Sequence, residues 1–399
     1  MRSRPLVMRI ITRLAGGGPP LHVTLLHEQI QDRGYESLLV FGSCQQGEQD
    51  VEHLLSSAAK IVRIPQLGRA PALWDDLIAL FKLWRLMLHY RPDIVHTHTA
   101  KAGLLGRLAA LLAGCPCIVH TFHGHVLEGY FSRSVNVLLR WTERALGMGS
   151  RALVTVSQQQ AEELSTRFGV AKAEKFHVVS LGTDLSPFQA LPDPDWTRPR
   201  LTVLWLGRFV PIKNLPLLLR VAKLAQARDL NLQFLLAGEG PLKDELQSMA
   251  KQFQLQNVEF LPWHQDVTPL LERSHFLLMT SLREGTPLSL IQGMAAGRPF
   301  VSTPAGGTVD LGAGLPRLDK DTWWYENGVI VRAEESALLD CLLRISRDRL
   351  LGQRMGRTAR DFALSRFQGQ RLVADIVQLY DELLSSKGQG KSSFAEVNS

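Results

Sequence analysis

Two cationic side chains in one turn could bind a diphosphate. Arg208 and Lys213 lie in G-R-F-V-P-I-K-N, five residues apart, directly after an apolar run that predicts a strand. Two cations in such a turn can neutralise a diphosphate leaving group as its bond breaks. The alternative is a pair of solvated loop cations. Gly207 and Pro211 favour the first interpretation because they indicate a shaped turn.

A second turn, Glu284, Gly285 and Thr286, follows the apolar run of residues 275–280 and precedes a helix predicted to begin at Pro287. Proline fits that position because its missing amide costs nothing in the first turn of a helix. Backbone amides at a helix start point outward and carry the positive end of the helix dipole, so this turn is suited to hold a phosphate. An ordinary connection in a parallel sheet is the alternative for this turn taken alone.

Five histidines close two predicted strands: His96 and His98 in H-T-H, and His120, His123 and His125 in H-T-F-H-G-H. Ligands of doubly wound sheets bind at the carboxyl ends of strands, which is where these side chains stand. His123 is the strongest candidate because the glycine after it lets the turn open; others could be capping or core residues. Zinc is disfavoured because helical i, i+4 spacing and an acidic companion are missing, and we predict no metal site.

The elements that position these residues alternate between strand and helix throughout the chain, and 399 residues suffice for two full cores. The predicted fold class is α/β, with two doubly wound Rossmann-like domains facing a cleft. We predict a first domain over residues 1–190, a proline-rich boundary, a second domain over residues 200–367, and a disordered tail over residues 386–399. Gly16 and Gly17, in the first glycine-rich turn, permit close backbone approach to a ligand.

The formal charge of +7 favours anionic partners such as nucleotide phosphates or an acidic membrane surface. Nucleic acid is set aside because the basic residues are scattered and lack an aromatic stacking platform. We find no signal-peptide pattern and no window long enough to span a bilayer. Residues 72–91 predict an amphipathic helix, for which packing against its own sheet is favoured over lying on a membrane. The expected location is cytoplasmic, with peripheral contact on the inner face of the membrane.

A series of motifs in order carries a family resemblance: G-G-G-P-P-L-H-V, P-D-I-V-H-T-H, H-T-F-H-G-H, L-G-R-F-V-P-I-K-N, L-A-G-E-G-P and E-G-T-P-L-S-L-I-Q-G-M-A-A-G-R-P-F-V. Over about residues 8–385 the chain resembles glycosyltransferase family 4, whose retaining enzymes adopt the GT-B fold. The resemblance implies a nucleotide-sugar donor bound mainly by the second domain and an acceptor bound mainly by the first. It also implies that a C-terminal helix, residues 368–385, crosses back to the first domain.

The resemblance further implies roles for individual residues. Glu284 would accept hydrogen bonds from donor-sugar hydroxyls, His123 would line the sugar site, and Arg208 and Lys213 would complete the catalytic group. Gly16 and Gly17 would let the first domain reach the phosphates. The other donor-binding positions in the matching motifs are Gly238, Gly240, Trp263, Gly285, Thr286, Pro287, Leu288 and Gln292.

Retention in this family is usually explained by front-face attack, in which a donor phosphate oxygen takes the acceptor's proton and no enzyme nucleophile is needed. We expect no cofactor and no metal. The two D-x-D patterns, at residues 193–195 and 319–321, are interpreted as solvated loop acids rather than metal ligands.

Three departures from the family pattern stand out. Gln292 replaces a second glutamate expected to bind ribose, and its amide can still accept a weaker, uncharged hydrogen bond. Pro262 and Trp263 replace a glycine often found at the nucleobase. Residues 308–327 form a loop longer than usual, with Trp323, Trp324 and Tyr325 either gripping an acceptor or covering a core edge.

The sequence therefore predicts a retaining hexosyl- or N-acetylhexosaminyl-transferase (EC 2.4) with a UDP-linked donor as the family-level expectation. The expected acceptor is a glycan or lipid-linked intermediate of surface polysaccharide. A nucleotide-sugar epimerase of the same fold and a non-catalytic subunit are the alternatives. The donor sugar, the acceptor and the oligomeric state stay open.

Overall fold

The structure, a computed structural model, describes residues 4–15, 17–44, 50–68, 70–124, 127 and 132–392. It divides into two compact units. Unit 1 is Met1–Thr183 together with Gly369–Ser399, and unit 2 is Asp184–Gln368. Both have an α/β sheet with helices on its faces, so the predicted pair of doubly wound domains is confirmed.

Unit 1 is built on a parallel sheet whose order in the described residues is β3-β2-β1-β4-β5-β6-β7. Its strands are β1 (Leu6–Arg13), β2 (Glu36–Gly42), β3 (Ile61–Arg63), β4 (Ile94–His98), β5 (Ile118–Phe122), β6 (Ala152–Thr155) and β7 (Phe176–Val178). Its first helices are α1 (Gly18–Gln29), α2 (Leu73–Tyr90), α3 (Ala100–Leu112), α4 (Arg133–Gly149) and α5 (Gln158–Glu162).

The alternation of side chains along β1 sorts these helices onto the two faces of the sheet. Met8 and Ile10 pack in one apolar cluster with α2 and α3. Val7, which points to the opposite face, packs with α1 and with the C-terminal helix α13 (Gly369–Ser392). A strand buried on both faces is expected to be a nearly continuous apolar run, and β1 follows this pattern from Leu6 to Ile11 except at Arg9.

Helix α13 is tied to the sheet of unit 1 by polar contacts as well as by packing. The hydroxyl of Tyr380 accepts a hydrogen bond from Arg9 Nη1 (3.0 Å) and lies 2.5 Å from His96 Nδ1. The predicted disorder from residue 386 is corrected, because α13 continues to Ser392; residues 393–399 lie outside the described part of the chain. Once a helix has formed, ordering one more residue adds one backbone hydrogen bond. The helix can therefore continue into a polar segment that would not begin a helix by itself.

The sheet of unit 2 has the order β10-β9-β8-β11-β12-β15-β14-β13. Its strands are β8 (Leu201–Leu206), β9 (Leu232–Ala237), β10 (Val258–Leu261), β11 (Phe276–Met279), β12 (Phe300–Ser302), β13 (Arg317–Asp319), β14 (Thr322–Trp324) and β15 (Gly328–Val331). Its helices are α6 (Ser186–Gln189), α7 (Leu215–Ala227), α8 (Lys243–Gln252), α9 (Thr268–Arg273), α10 (Leu288–Ala295), α11 (Glu335–Arg347) and α12 (Arg349–Phe367). Residues 184–190, predicted in the first domain, fall in unit 2, where α6 contacts α10.

The prediction that residues 308–327 form a loop is wrong. They contain the hairpin β13–β14, and β14 pairs antiparallel with β15. The turn of the hairpin contains Lys320, whose φ of 55° is left-handed. Lysine is not a residue that marks such a turn in a sequence, so the D-K-D pattern did not predict it. Trp324 packs beneath the guanidinium of Arg344, 4.3 Å from its ring centre. The aromatic run thus belongs partly to the edge of the sheet.

Candidate functional site

The predicted donor-binding turns of unit 2 meet where the order of its strands changes direction. β8 and β11 are neighbours, although β9 and β10 lie between them in sequence. Such a switch point opens a crevice at the carboxyl ends of the two strands, and ligands of doubly wound sheets bind there. The turn with Arg208 and Lys213 follows β8, and the turn with Glu284 follows β11.

Lys213 and Glu284 form an ion pair across this switch point. Lys213 Nζ lies 2.5 Å from Glu284 Oε1, and the two side chains are only 20% and 11% exposed. Ser281 Oγ donates a second hydrogen bond to the same Oε1, also at 2.5 Å. Among the described residues, Glu284 Oε2 receives no hydrogen bond, so it stays available to a ligand hydroxyl.

Two backbone contacts fix the turns against each other. Leu282 N donates to Ile212 O at 2.8 Å. Thr280 Oγ1 donates to Lys213 O at 3.0 Å. Because both contacts involve main-chain atoms, the distance between the lysine and the glutamate is set by the backbone and not only by their mutual attraction.

Arg208 is arranged differently from Lys213. Its side chain is exposed, and within the described part of the chain it has no ion pair or side-chain hydrogen bond. The predicted two-cation turn therefore presents one lysine that is already paired and one arginine that is open to an anion.

Gly238 and Gly240, in the turn after β9, are required by close packing. A Cβ on Gly238 would lie 1.8 Å from Gly207 O, and one on Gly240 would lie 2.5 Å from Phe209 O. Phe209 N donates to Glu239 O at 2.9 Å, so the β9 turn lies directly on the turn that carries Arg208. These glycines shape the cation-bearing turn; a direct contact with the donor stays a prediction.

The remaining predicted donor residues lie around α10 and after β10. Pro287 is the N-cap residue and Leu288 the first residue of α10, so the predicted helix start shifts by one position. Gly285, Thr286 and Gln292 are partly exposed. Trp263 is 39% exposed and follows β10, which is separated from β8 by β9.

Three histidines of unit 1 meet at its own switch point, between β1 and β4. His22 lies on α1, His98 ends β4 and His123 follows β5. One ring nitrogen of each lies within 4.8 Å of the others. His98 Nδ1 and His123 Nε2 are 3.1 Å apart, whereas neither nitrogen of the fully buried His22 has a hydrogen-bond partner among the residues that the structure describes.

The electrostatics of this cluster favour neutral imidazoles. Burial lowers the pKa of His123 to about 3. Burial, followed by repulsion from His123 and His96 and from the buried Arg9, also lowers the pKa of His22. Neutral imidazoles can donate and accept hydrogen bonds with sugar hydroxyls. Neutral imidazoles could also ligate a transition metal. The positive charge of the Arg9 guanidinium disfavours a dication at this place, and among the described residues no carboxylate belongs to the cluster.

Two other predicted histidines are structural. His96 bonds to Tyr380 and to Thr121 Oγ1, at 2.7 Å from the latter. His120 Nδ1 lies 2.8 Å from Thr97 Oγ1. His125 and Gly16 lie outside the described residues, while Gly17 is the N-cap of α1 with φ of 138°, a conformation that favours glycine.

Sequence reasoning missed three contributors to these sites. Ser281 was not singled out, although a hydroxyl three residues before the glutamate is a local signal. His22 lies only four residues after Gly18. Arg9 is a charged residue within an apolar strand, which is a signal visible in the sequence. In the described part of the chain its Nε and Nη2 are buried without a hydrogen-bond partner.

Comparison with known proteins identifies the class. Residues 16–187 match the family model for Glycosyltransferase Family 4, and residues 200–348 match the model for Glycosyl transferases group 1. Among solved structures, sucrose-phosphate synthase from Thermosynechococcus elongatus aligns with a TM-score of 0.78 at 19% identity, over 96% of this chain and 100% of that chain. Anabaena Alr3699/HepE in complex with UDP and glucose aligns with a TM-score of 0.73 at 20% identity, over 95% and 99%. The fold and the matched models define a glycosyltransferase of GT-B type.

Within that class, the chain belongs to glycosyltransferase family 4. A relative from Escherichia coli, UDP-Gal:alpha-D-GlcNAc-diphosphoundecaprenol alpha-1,3-galactosyltransferase, is 26% identical over 350 residues, covering 84% of this chain and 86% of the relative. Putative glycosyltransferase EpsF of Bacillus subtilis is 28% identical over 276 residues, covering 66% and 70%.

The buried neutral histidines predict a loss of stability in acid. Because the pKa of His27 is lowered by burial to about 4 and that of His123 to about 3, these side chains take up protons in the unfolded state first. Their stabilisation is complete above about pH 6.5 and falls below it, by about 1.4 kcal/mol per pH unit for each such histidine. Urea unfolding between about pH 8 and about pH 5 measures this slope.

Matched variants test how much of the pH dependence of the unfolding free energy comes from the cluster of His22, His98 and His123. His22→Gln should lower the slope by the amount that corresponds to about one proton, while His89→Gln, at an exposed position, should leave the slope unchanged. A wild-type slope corresponding to less than one proton would contradict the prediction.

Proposed function

We propose that this glycosyltransferase transfers a sugar, with retention, from a UDP-linked donor to a lipid-diphosphate-linked acceptor in polysaccharide assembly. The observation that carries the proposal is the Lys213–Glu284 pair at the switch point of unit 2, with Arg208 exposed in the adjoining turn. The Escherichia coli relative is named for a UDP-galactose donor and a diphosphoundecaprenol-linked acceptor, which supports both substrate classes.

Unit 2 binds the donor in this proposal. Arg208 and Lys213 neutralise the diphosphate, and the backbone amides of Gly285 and Thr286, next to the start of α10, approach its distal phosphate. The charge of Lys213 is shared between Glu284 and the incoming phosphate. Glu284 Oε2 accepts a donor-sugar hydroxyl while Oε1 stays held by Lys213 and Ser281.

This arrangement supports retention without an enzyme nucleophile. Glu284 Oε1 already accepts two short hydrogen bonds, so the carboxylate is held as a hydrogen-bond acceptor. The bond between the anomeric carbon and the β-phosphate oxygen breaks, the acceptor oxygen bonds to the same face of that carbon, and the acceptor's proton passes to the departing phosphate. The cations stabilise the charge that develops on the phosphate in this step.

Retention predicts that product and donor share their anomeric configuration. Proton NMR of the glycosylated product measures it through the anomeric coupling constant. An inverted product would contradict the front-face step while leaving transfer itself intact.

Unit 1 binds the acceptor in this proposal, with His123 as the half-buried member of its histidine cluster. Because the neighbouring His22 and His98 are neutral and fully buried, the cluster offers directional hydrogen bonds without a charge of its own. We also propose that the enzyme works in the cytoplasm, in peripheral contact with a membrane that holds the acceptor. Among the described helices, none is long and apolar enough to cross a bilayer.

We propose that catalysis needs no metal. The carboxylates of both D-x-D patterns are exposed, and each forms an ion pair with an arginine: Asp193 with Arg360, Asp195 with Arg198, Asp319 with Arg344 and Asp321 with Arg332. Each arginine contacts one oxygen of its carboxylate and so competes with a divalent ion for that oxygen.

The donor site predicts selective binding of UDP without metal. In calorimetric titrations of UDP, GDP and ADP in EDTA, we expect UDP to bind the wild type. Arg208→Ala/Lys213→Ala should weaken that binding by at least about a hundredfold, because two charge-assisted contacts to the diphosphate are lost. Sugar transfer by the wild type should be unchanged by EDTA.

The control is Arg332→Ala, which removes an exposed cation from the hairpin region of unit 2 and should bind UDP like the wild type. If no nucleotide binds the wild type, the donor site proposed here is wrong. Binding that appears only when a divalent ion is restored would contradict metal independence.

We expect Gln292 to bind the donor more weakly than a glutamate at the same position would. It is partly exposed on α10, and among the described residues its side chain makes no hydrogen bond. Gln292→Glu should lower the apparent donor KM several-fold, because a carboxylate accepts stronger hydrogen bonds from ribose hydroxyls than an amide does. Gln252→Glu, which adds the same charge at the exposed end of α8, is the control. An unchanged or raised KM in Gln292→Glu would exclude contact with the ribose.

A further inference from the structure

Helix α2 has one apolar face packed in unit 1 and a second apolar face that is exposed. Ala79, Leu83 and Met87 are buried in the core with α3. Four more of its side chains pack against this core in partly buried positions: Leu80, Trp84, Leu86 and Tyr90. Its opposite face exposes large apolar side chains: Leu73 (72%), Trp74 (76%), Leu77, Ile78, Phe81 (53%) and Leu88. Residues 72–91 therefore pack within their own domain, as the favoured interpretation predicts, and they leave a second apolar face exposed.

Helices α3 and α4 carry further exposed apolar side chains on the same face of the unit 1 sheet. α3 contacts both α2 and α4. The exposed positions on these two helices are Leu111, Leu112, Val135, Val137, Leu138, Trp141 (64%) and Met148. We call the exposed apolar residues of α2, α3 and α4 the outer apolar surface. A monomeric soluble protein rarely exposes so many large apolar side chains on neighbouring helices without a binding partner.

The start of α2 lies at the edge of the sheet that carries the histidine cluster. In a parallel α/β unit, each helix begins at the carboxyl ends of the strands, and α3 begins directly after His98. Lys101, in the first turn of α3, forms an ion pair with Asp76 in the first turn of α2 and donates to Ala70 O at 2.6 Å. Trp74 and its neighbours therefore lie at the same edge of the sheet as the cluster.

The charges around this surface are mainly positive. Lys82 and Arg85 are exposed on α2, and Arg133 is exposed on α4. Of the acidic residues on these helices, Asp76 and Glu143 are paired, with Lys101 and the buried Arg107 respectively, and Asp75 is exposed beside Trp74. Aromatic and aliphatic side chains flanked by cations match the interface of a bilayer with acidic lipids, in which rings sit at the headgroups and cations bind lipid phosphates.

We propose that the outer apolar surface docks unit 1 onto an acidic lipid bilayer, with Trp74, Phe81 and Trp141 inserted at the headgroup level. This inference rests on the proposed function in one respect: docking at this edge brings a lipid-linked acceptor to the side of unit 1 that holds His123. The positive rim selects lipid over a second copy of the chain, because two such faces would place like charges together.

The test is sedimentation with vesicles of phosphatidylcholine alone and with about one third phosphatidylglycerol, at low and at raised salt. The wild type should bind the mixed vesicles at least about tenfold more tightly than the neutral ones. Trp74→Ser/Phe81→Ser should weaken this binding by at least about tenfold, since two exposed rings no longer insert. Lys82→Gln/Arg85→Gln should weaken it by roughly fivefold per cation and reduce its dependence on salt.

The control is Leu315→Ser/Leu350→Ser, which removes two large apolar side chains that are 95% and 70% exposed on unit 2. This variant should bind vesicles like the wild type. Loss of binding in the control, or equal binding by wild type and Trp74→Ser/Phe81→Ser, would overturn the assignment of the surface. So would sedimentation equilibrium that shows a dimer converted to a monomer by the same double substitution, because the surface would then join two copies.

UDP titration of the same variants separates this inference from the proposed function. Trp74→Ser/Phe81→Ser should bind UDP like the wild type, because it changes no residue of unit 2. Vesicle binding without UDP binding would overturn the donor assignment and keep the docking surface. UDP binding without vesicle binding would overturn the docking surface alone.

Discussion

Both candidate sites depend on one constraint, the adjacency of two parallel strands that are not consecutive in sequence. β1 lies beside β4 in unit 1, and β8 lies beside β11 in unit 2. In each case the chain leaves the two strands in opposite directions along the sheet, so the turns that follow them separate and open a crevice. Backbone contacts such as Leu282 N to Ile212 O then fix the turns. Side chains distant in sequence meet because of this order of strands.

The side chains at the two switch points differ in charge. In unit 2, Lys213 and Glu284 are a charged pair in a partly exposed position, where an ion pair keeps both groups well placed at modest desolvation cost. In unit 1, burial lowers the pKa values of His22, His98 and His123 and so favours neutral imidazoles, and for His22 and His98 repulsion from Arg9 adds to that effect. A charged site suits a diphosphate, and a neutral hydrogen-bonding site suits a sugar. The chemistry of each unit thus follows from how deeply its side chains are buried.

Local patterns in the sequence were sufficient for most elements of unit 2. The sequence pattern predicts strands over residues 201–206, 232–237, 258–261 and 328–331 and a helix over residues 215–227. The bounds of β8, β9, β10, β15 and α7 agree with these ranges because each is an apolar run ended by glycine, proline or charged residues. The hairpin β13–β14 was missed because its strands are three residues long and depend on pairing with β15, which no local pattern reveals. Lys213, Glu284 and His123 were identified by motif. Their neighbour Ser281 carried a local signal that was not used, whereas the place of His22 beside His98 and His123 follows from the order of strands.

Helix α2 shows why a single amphipathic pattern could not be assigned from sequence. Ala79, Leu83 and Met87 are buried with α3, and large side chains such as Trp84 pack partly buried against the same core. Trp74 and Phe81 lie on the other face of the helix and are exposed. Because both faces are apolar, the periodicity of the sequence does not decide which face packs on the sheet, whereas the position of α3 beside α2 does. The proposed membrane-facing surface is the apolar face that this packing leaves exposed.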